Sequence, residues 1–159
     1  MKKTLFAMFI LAGIFSQSVL AQLRVNINIG HQPAWGPVGY DHADYYYLPD
    51  IDCYYDIEGS KFVYFDGGRW VYASTLPSRY GRVDLFHSYK VVVNEPRPYL
   101  HADVYRQKYS RFKGYRQRQP VIRDSRDERY FESREHPRHA EWEQRHGHDH
   151  DHDHDHDGH

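Results

Sequence analysis

The sequence predicts a mainly β fold: a small antiparallel meander with one C-terminal helix, followed by a disordered tail. Three runs rich in β-branched and aromatic residues, at 51–57, 61–65 and 69–73, are separated by the turns Glu58-Gly59 and Asp66-Gly67-Gly68. Glycine accepts the positive φ that tight hairpin turns require. The spacing of the three runs therefore predicts consecutive antiparallel strands.

The first 21 residues have the layout of a secretory signal peptide. Lys2 and Lys3 precede a short apolar run, and Val19-Leu20-Ala21 forms a cleavage site before Gln22. The alternative is a membrane anchor, but the run is shorter than the roughly 20 apolar residues that span a bilayer. We expect an exported bacterial protein, periplasmic or associated with the cell surface, with no transmembrane segment in the mature chain.

Ahead of the meander, residues 23–30 alternate between apolar and polar side chains, with period two. This alternation predicts a half-buried strand. Residues 31–42 contain two prolines and several glycines, which predicts a loop. Within that loop, Trp35 is interpreted as a plug at one end of the core in preference to a ligand-binding residue.

The two turns also predict the register of the meander. A two-residue loop in the first turn places Tyr55 opposite Phe62, and a three-residue loop in the second places Tyr64 opposite Trp70. Cross-strand pairs of this kind stabilise a sheet. Both registers put one set of residues on a common face, which is the predicted core: Ile51, Cys53, Tyr55, Ile57, Phe62, Tyr64, Trp70 and Tyr72.

The opposite face of the meander is also apolar, so another element is expected to cover it. Residues 89–94 are a fifth strand candidate, ended by prolines that cannot donate to a ladder. After them, Tyr105, Tyr109 and Phe112 follow helical spacing. We predict that this helix covers the second face and that the folded domain spans 22–112.

Residues 113–145 contain few apolar side chains and many charged ones. Such a segment buries too little surface to offset its ordering entropy, so we predict that it is disordered. Without Lys2 and Lys3 the chain has 19 basic and 22 acidic residues, a formal charge of −3. This balance argues against nucleic acid as a partner, because phosphate neutralisation needs a basic surplus.

Cys53 is the single cysteine, so an intramolecular disulfide is excluded. We interpret it as a small buried hydrophobic residue on a strand, since no partner motif for a nucleophile surrounds it. The sequence also lacks a glycine-rich phosphate loop, a GxSxG elbow and an HExxH helix. The prediction is a protein that is not an enzyme.

One pattern combines a tyrosine-rich strand, a Gly-Gly turn before a Trp-containing strand, a Leu-Pro pair, and Arg-Pro-Tyr followed by a histidine. It falls here on Tyr45 to Tyr47, Gly67-Gly68, Trp70, Leu76-Pro77, Arg97-Pro98-Tyr99 and His101. This pattern resembles that of a family of small uncharacterised exported proteins of Gram-negative bacteria. The resemblance covers roughly residues 25–109 and implies an exported domain without naming an activity.

Residues 146–159 form a His/Asp repeat. Imidazole suits Zn²⁺, Ni²⁺ and Cu²⁺, and a flexible chain can wrap several donors around one ion. We predict weak, exchangeable metal binding in preference to a fixed cofactor site; the alternatives are a solvated tail and an affinity tag. The predicted ligands are His146, His148, His150, His152, His154, His156 and His159.

The chain carries 15 tyrosines, 8 phenylalanines and 3 tryptophans, more than a core of this size needs. Exposed rings stack on glycans or peptides, or contact another envelope protein. The main functional prediction is therefore a small binding or structural module of the cell envelope with a metal-binding tail. The alternative is a periplasmic protein that buffers or delivers metal, with the tail as its functional part.

Overall fold

A five-stranded antiparallel sheet forms the centre of the computed structural model, which describes residues 26–115 and 118–147. The strands lie in the order β4-β3-β2-β1-β5. The predicted mainly β meander is confirmed. The strands are β1 (Tyr45–Leu48), β2 (Cys53–Asp56), β3 (Lys61–Asp66), β4 (Arg69–Ala73) and β5 (Val91–Val93).

Helical elements surround this sheet. The main one is α1 (Ala102–Tyr109), continued at both ends by 3-10 turns at Pro98–His101 and Ser110–Phe112. A second short helix, α2 (His139–His146), ends the described part of the chain. The other 3-10 turns are Ile29–His31, Ser78–Tyr80, Ile122–Asp124 and Glu128–Glu132.

One face of the sheet is covered by the loop before β1. Trp35 is buried there, with its ring edge-on to Tyr55 at 4.8 Å and stacked 6.4 Å from Phe62. The predicted burial of Trp35 in the core is confirmed, although it covers a face of the sheet and not one end. The buried members of this cluster are Trp35, Ala43, Tyr46, Leu48, Cys53, Tyr55, Ile57, Phe62 and Tyr64.

The first hairpin has the predicted register, with Tyr55 opposite Phe62. The second does not: Tyr64 lies opposite Val71, and Trp70 lies opposite Phe65. The turn contains two residues, not three, since Gly67 and Gly68 both adopt positive φ (55° and 80°). A two-residue turn of this kind matches the twist of a hairpin, and the shift by one residue reverses every side chain of β4.

Trp70 and Tyr72 consequently lie on the second face of the sheet, contrary to the predicted core. This face is covered by α1 and the turn before it, as the helical spacing predicted. Trp70 packs 5.3 Å from the ring of Tyr99, and Tyr54 packs 5.9 Å from Tyr105. The buried members of this second cluster are Tyr47, Tyr54, Val63, Val93, Tyr99 and Ala102.

The predicted strand over 23–30 is wrong for its described part. Residues 26–28 have no regular structure, and Ile29–His31 form a 3-10 turn. The side chain of Asn28 bonds both backbone groups of Ala43, donating to its carbonyl at 2.8 Å and accepting from its N–H at 3.0 Å. Side-chain bonds of this kind replace a strand ladder. Residues 23–25 lie outside the described part.

The predicted disorder of 113–145 is corrected for its described part, residues 113–115 and 118–145. Residues 118–147 pack along the loop before β1. The Ile122 N–H donates to the Gly36 carbonyl at 2.9 Å, and the Ser133 hydroxyl donates to the Gln32 carbonyl at 2.7 Å. The buried apolar residues of this segment are Val121, Ile122, Tyr130 and Phe131.

The order of residues 118–147 has a clear physical basis. The segment holds few apolar side chains, but four of them are buried, and its backbone is hydrogen-bonded to the loop before β1. Tyr130 illustrates this, since its hydroxyl oxygen accepts from the N–H groups of Gly39 (2.5 Å) and Tyr40 (3.2 Å). The amino-acid composition of a segment gives the number of its apolar residues, but not which of them are buried or which partners its backbone groups find.

Two further expectations concern the ends of the chain. The predicted signal peptide, residues 1–21, and the tail beyond residue 147 lie outside the described residues. Across residues 26–115 and 118–147, every helix is too short or too polar to cross a membrane.

Candidate binding surfaces

Of the predicted metal ligands in the tail, the described residues include only the first, His146. His146 is the last residue of α2, and its Nδ1 lies 2.9 Å from the Trp142 carbonyl oxygen. Its exposed ring stacks on Trp142 at 4.7 Å. The other predicted ligands lie outside the described residues: His148, His150, His152, His154, His156 and His159.

Five histidines of the folded domain share a common arrangement, which is a single carboxylate partner. His31 lies 3.0 Å from Glu58, and His42 lies 2.9 Å from Asp44. The remaining pairs of the same kind are His87 with Asp84 at 2.6 Å, His101 with Glu95 at 2.9 Å, and His139 with Glu143 at 3.2 Å. The Asp84 partner shows the electrostatic effect: bonds from His87 lower the pKa of its carboxyl.

Two of these pairs line one cleft of about 650 Å³, at the end of the sheet where β1 begins and β2 ends. The walls also carry the carboxylates of Asp56 and Glu132. Nevertheless, within residues 26–115 and 118–147 no three His, Cys, Asp or Glu side chains converge as a metal site would require. The cleft is an acidic cavity without the geometry of a metal centre.

Cys53 is fully buried on β2, as predicted. Its thiol donates to the carbonyl oxygens of Tyr54 (3.3 Å) and Val63 (3.4 Å). Burial raises the pKa of this thiol to about 12. A nucleophile must be an accessible thiolate, so Cys53 acts as a core residue.

The exposed rings are concentrated on the second hairpin. Phe65 is 55% exposed and Tyr72 is 46% exposed, with half-buried Trp70 beside them. Phe65 and Trp70 lie edge-to-face at 5.2 Å. We call Phe65, Trp70 and Tyr72 the aromatic hairpin surface.

Contacts with Tyr99, in the turn before α1, fix the position of the aromatic hairpin surface. The hydroxyl of Tyr72 donates to that of Tyr99, and the Trp70 ring packs on the same Tyr99. Because Tyr99 lies in the turn that leads into α1, the position of the exposed rings is coupled to the packing of the helix. Rigid aromatic side chains lose little entropy on binding and are enriched at contact surfaces.

The exposure of Tyr72 was not predicted from the sequence, which placed it in the core. The available signal was the Gly67-Gly68 pair, because two consecutive residues with positive φ are typical of a two-residue hairpin turn. Sequence reasoning also missed the ion pair that attaches α1 to the sheet. Arg106 of the helix donates to the Asp52 carboxylate at 2.6 and 2.8 Å, and that carboxylate also accepts from the Tyr47 hydroxyl at 3.0 Å.

In comparisons with known proteins, no family model, no curated protein and no solved structure matches the chain. The resemblance to small exported proteins of Gram-negative bacteria therefore remains a prediction from the motifs.

Proposed function

We propose that the chain is an exported, non-enzymatic protein of the cell envelope whose folded domain is a contact module. The aromatic hairpin surface is its contact site. One observation carries the proposal: Phe65 and Tyr72 remain about half exposed beside Trp70, although the same face has a helix that covers its other rings. Contiguous exposed aromatic side chains mark interaction sites on small proteins.

The non-enzymatic part is supported by the chemistry of the described side chains. The thiol of Cys53 is buried and resists ionisation. Two histidine–carboxylate pairs share the cleft at the start of β1, and the others are dispersed, with His87 in the loop before β5 and His101 at the start of α1. Catalysis by such pairs needs a nucleophile or substrate oxygen held against them in a pocket.

The export part is supported by the signal-peptide pattern and is tested by mass spectrometry. Protein recovered from the periplasmic or outer-membrane fraction of cells expressing the full chain should begin at Gln22. Intact chains that retain residues 1–21 in the cytoplasmic fraction would refute export.

The contact site is tested by photocrosslinking in living cells. A benzophenone amino acid replaces Phe65 in one variant and Tyr40 in the control, whose side chain is 42% exposed away from the hairpin. We expect a discrete adduct from position 65 and none from position 40. Equal yields at the two positions, or no adduct at position 65, would refute the assignment.

The second candidate function is metal buffering or delivery by the tail. It is favoured by one observation, the seven histidines that alternate with aspartates after Arg145. Deleting 146–159 separates the two candidates. A lost metal-dependent phenotype with an unchanged crosslink at position 65 would support the tail as the functional part.

A further inference from the structure

Within the part of the chain that the structure describes, the sheet has one partly capped edge and one open edge. Beside β5, the side chain of Gln119 bonds both backbone groups of Lys90, accepting from its N–H and donating to its carbonyl, each at 3.0 Å. This amide occupies the backbone groups of the residue that precedes β5. Among the described residues, β4 forms the other edge and is paired with β3 alone. Unpaired edges are templates for another strand unless charge, proline or a bulge protects them.

The hairpin geometry decides which groups of β4 are free. The two-residue turn makes Asp66 and Arg69 a hydrogen-bonded pair, and pairs alternate along an antiparallel ladder. The backbone groups of Arg69, Val71 and Ala73 therefore point toward β3. Those of Trp70 and Tyr72 point outward, at the open edge.

These outward groups are self-complementary. Two β4 strands from two copies can pair antiparallel with Val71 opposite Val71. Trp70 of each copy then lies opposite Tyr72 of the other, which gives two such pairs. Each such pair exchanges two backbone hydrogen bonds and brings two rings together on the face of the aromatic hairpin surface. Because the same residue set serves both copies, the interface obeys two-fold symmetry.

The charges of β4 tolerate this register as well. Arg69 is the one charged residue of the strand, and the centred pairing places it opposite Ala73 of the second copy. The two Arg69 side chains are then four residue positions apart, about 13 Å along the strand. The pairing thus avoids the like-charge contact that would disfavour a symmetric edge.

We propose that the partner of the aromatic hairpin surface is a second copy of this chain, joined by antiparallel β4–β4 pairing centred on Val71. The two sheets become one continuous ten-stranded sheet. This inference deepens the proposed contact function and rests on it. The mass of the adduct at position 65 separates the two: an adduct of twice the chain mass supports both, whereas one with a different protein supports the contact site and overturns self-pairing.

The register is tested by disulfide trapping in the full mature protein. Val71→Cys places two thiols at the two-fold axis, where opposed residues of a non-hydrogen-bonded pair have Cα atoms about 4.5 Å apart, within disulfide reach. Arg69→Cys is the matched control, on the same strand and face but about 13 Å from its copy. Cys53 is buried, so the unmodified chain serves as the blank.

With oxidised glutathione as oxidant, we expect a disulfide-linked dimer from Val71→Cys and none from Arg69→Cys or the unmodified chain. Equal dimer from both variants would indicate random collision and overturn the register. No dimer from Val71→Cys would overturn the pairing.

A second measurement does not depend on new thiols. Sedimentation velocity, with EDTA present to prevent association through the tail, should show a monomer–dimer equilibrium for the mature protein and for Tyr72→Phe. Tyr72→Lys should be monomeric with an unchanged far-ultraviolet circular dichroism spectrum, since the two introduced ammonium groups would lie diagonally across the axis on one face, each opposite Trp70 of the other copy. A monomer at every concentration for the unmodified protein would contradict the proposal.

Discussion

Trp35 and Trp70 lie on opposite faces of the same sheet. Trp35 is buried among Tyr46, Tyr55 and Phe62, whereas Trp70 is half-buried between the sheet and Tyr99. The one-residue difference between the predicted and observed turns decides this relationship. It also changes which tryptophan should contribute more to stability.

We predict that Trp35→Ala lowers the free energy of unfolding by about 3–5 kcal/mol, the cost of truncating a buried aromatic residue. Trp70→Ala should cost about 2 kcal/mol, because part of its ring already contacts water. Urea unfolding followed by far-ultraviolet circular dichroism measures both. A greater loss for Trp70→Ala would contradict the observed register.

A second prediction concerns the segment 118–147 and pH. The Nδ1 atom of buried His136 accepts from the Arg138 N–H at 3.0 Å, and its Nε2 lies 3.3 Å from the Ser125 carbonyl. These contacts suit the neutral ring, and burial lowers the pKa of His136. Below the ordinary pKa of about 6.5, His136 is protonated in the unfolded segment but stays neutral in the packed one. The free energy that keeps the segment packed therefore decreases as the pH is lowered through this range.

Hydrogen exchange at pH 7.5 and 5.5, corrected for intrinsic rates, tests this. Amides of 118–147 should lose protection relative to β1–β3 at the lower pH. His136→Gln should remove most of that dependence, since its amide does not titrate. Equal loss of protection in His136→Gln would assign the effect to other groups.

A third prediction concerns Lys90, whose ammonium is buried and donates to the Leu85 carbonyl at 2.8 Å. Burial lowers the pKa of Lys90 to about 8. Between pH 8 and the ordinary value of about 10.4, the folded state has released this proton and the unfolded state has not. The contribution of Lys90 to the free energy of unfolding therefore rises with pH in that window.

Lys90→Met should remove this rise and increase stability at pH 7.5, where the buried charge is unfavourable. Lys61→Met, at an exposed position of β3, is the control and should leave the pH profile unchanged. Chemical denaturation between pH 7.5 and 9.5 supplies the profiles. Parallel profiles for Lys90→Met and the unmodified protein would contradict the assigned pKa.

The fourth prediction tests the tail. The mature protein should bind Zn²⁺ or Ni²⁺ near pH 7.5 and release it near pH 5.5, because protons compete with the metal for the imidazole nitrogens. A chain ending at Arg145 should lose this binding in calorimetric titration and keep its melting temperature. If the shortened chain binds as well as the full one, the donors are in the folded domain, where His31 and His42 share a cleft.

Much of the fold could be predicted because its signals are local. Alternating strands, the glycine turn at 58–59 and the 105–109–112 spacing each involve neighbours in the chain, and the sheet and α1 follow from them. Burial of Cys53 and Trp35 followed as well, since apolar side chains in a small domain have few other places to go.

The exposure of the candidate contact surface was decided by tertiary structure. The Gly67-Gly68 turn sets the face on which Trp70 and Tyr72 lie. The packing of Tyr99 and α1 against that face decides that Phe65 and Tyr72 stay partly uncovered. The order of 118–147 depends on a distant loop to which its backbone is hydrogen-bonded. The sequence by itself determined the local elements; only packing between distant segments decided which side chains remained exposed, because burial depends on neighbours that are far apart in the chain.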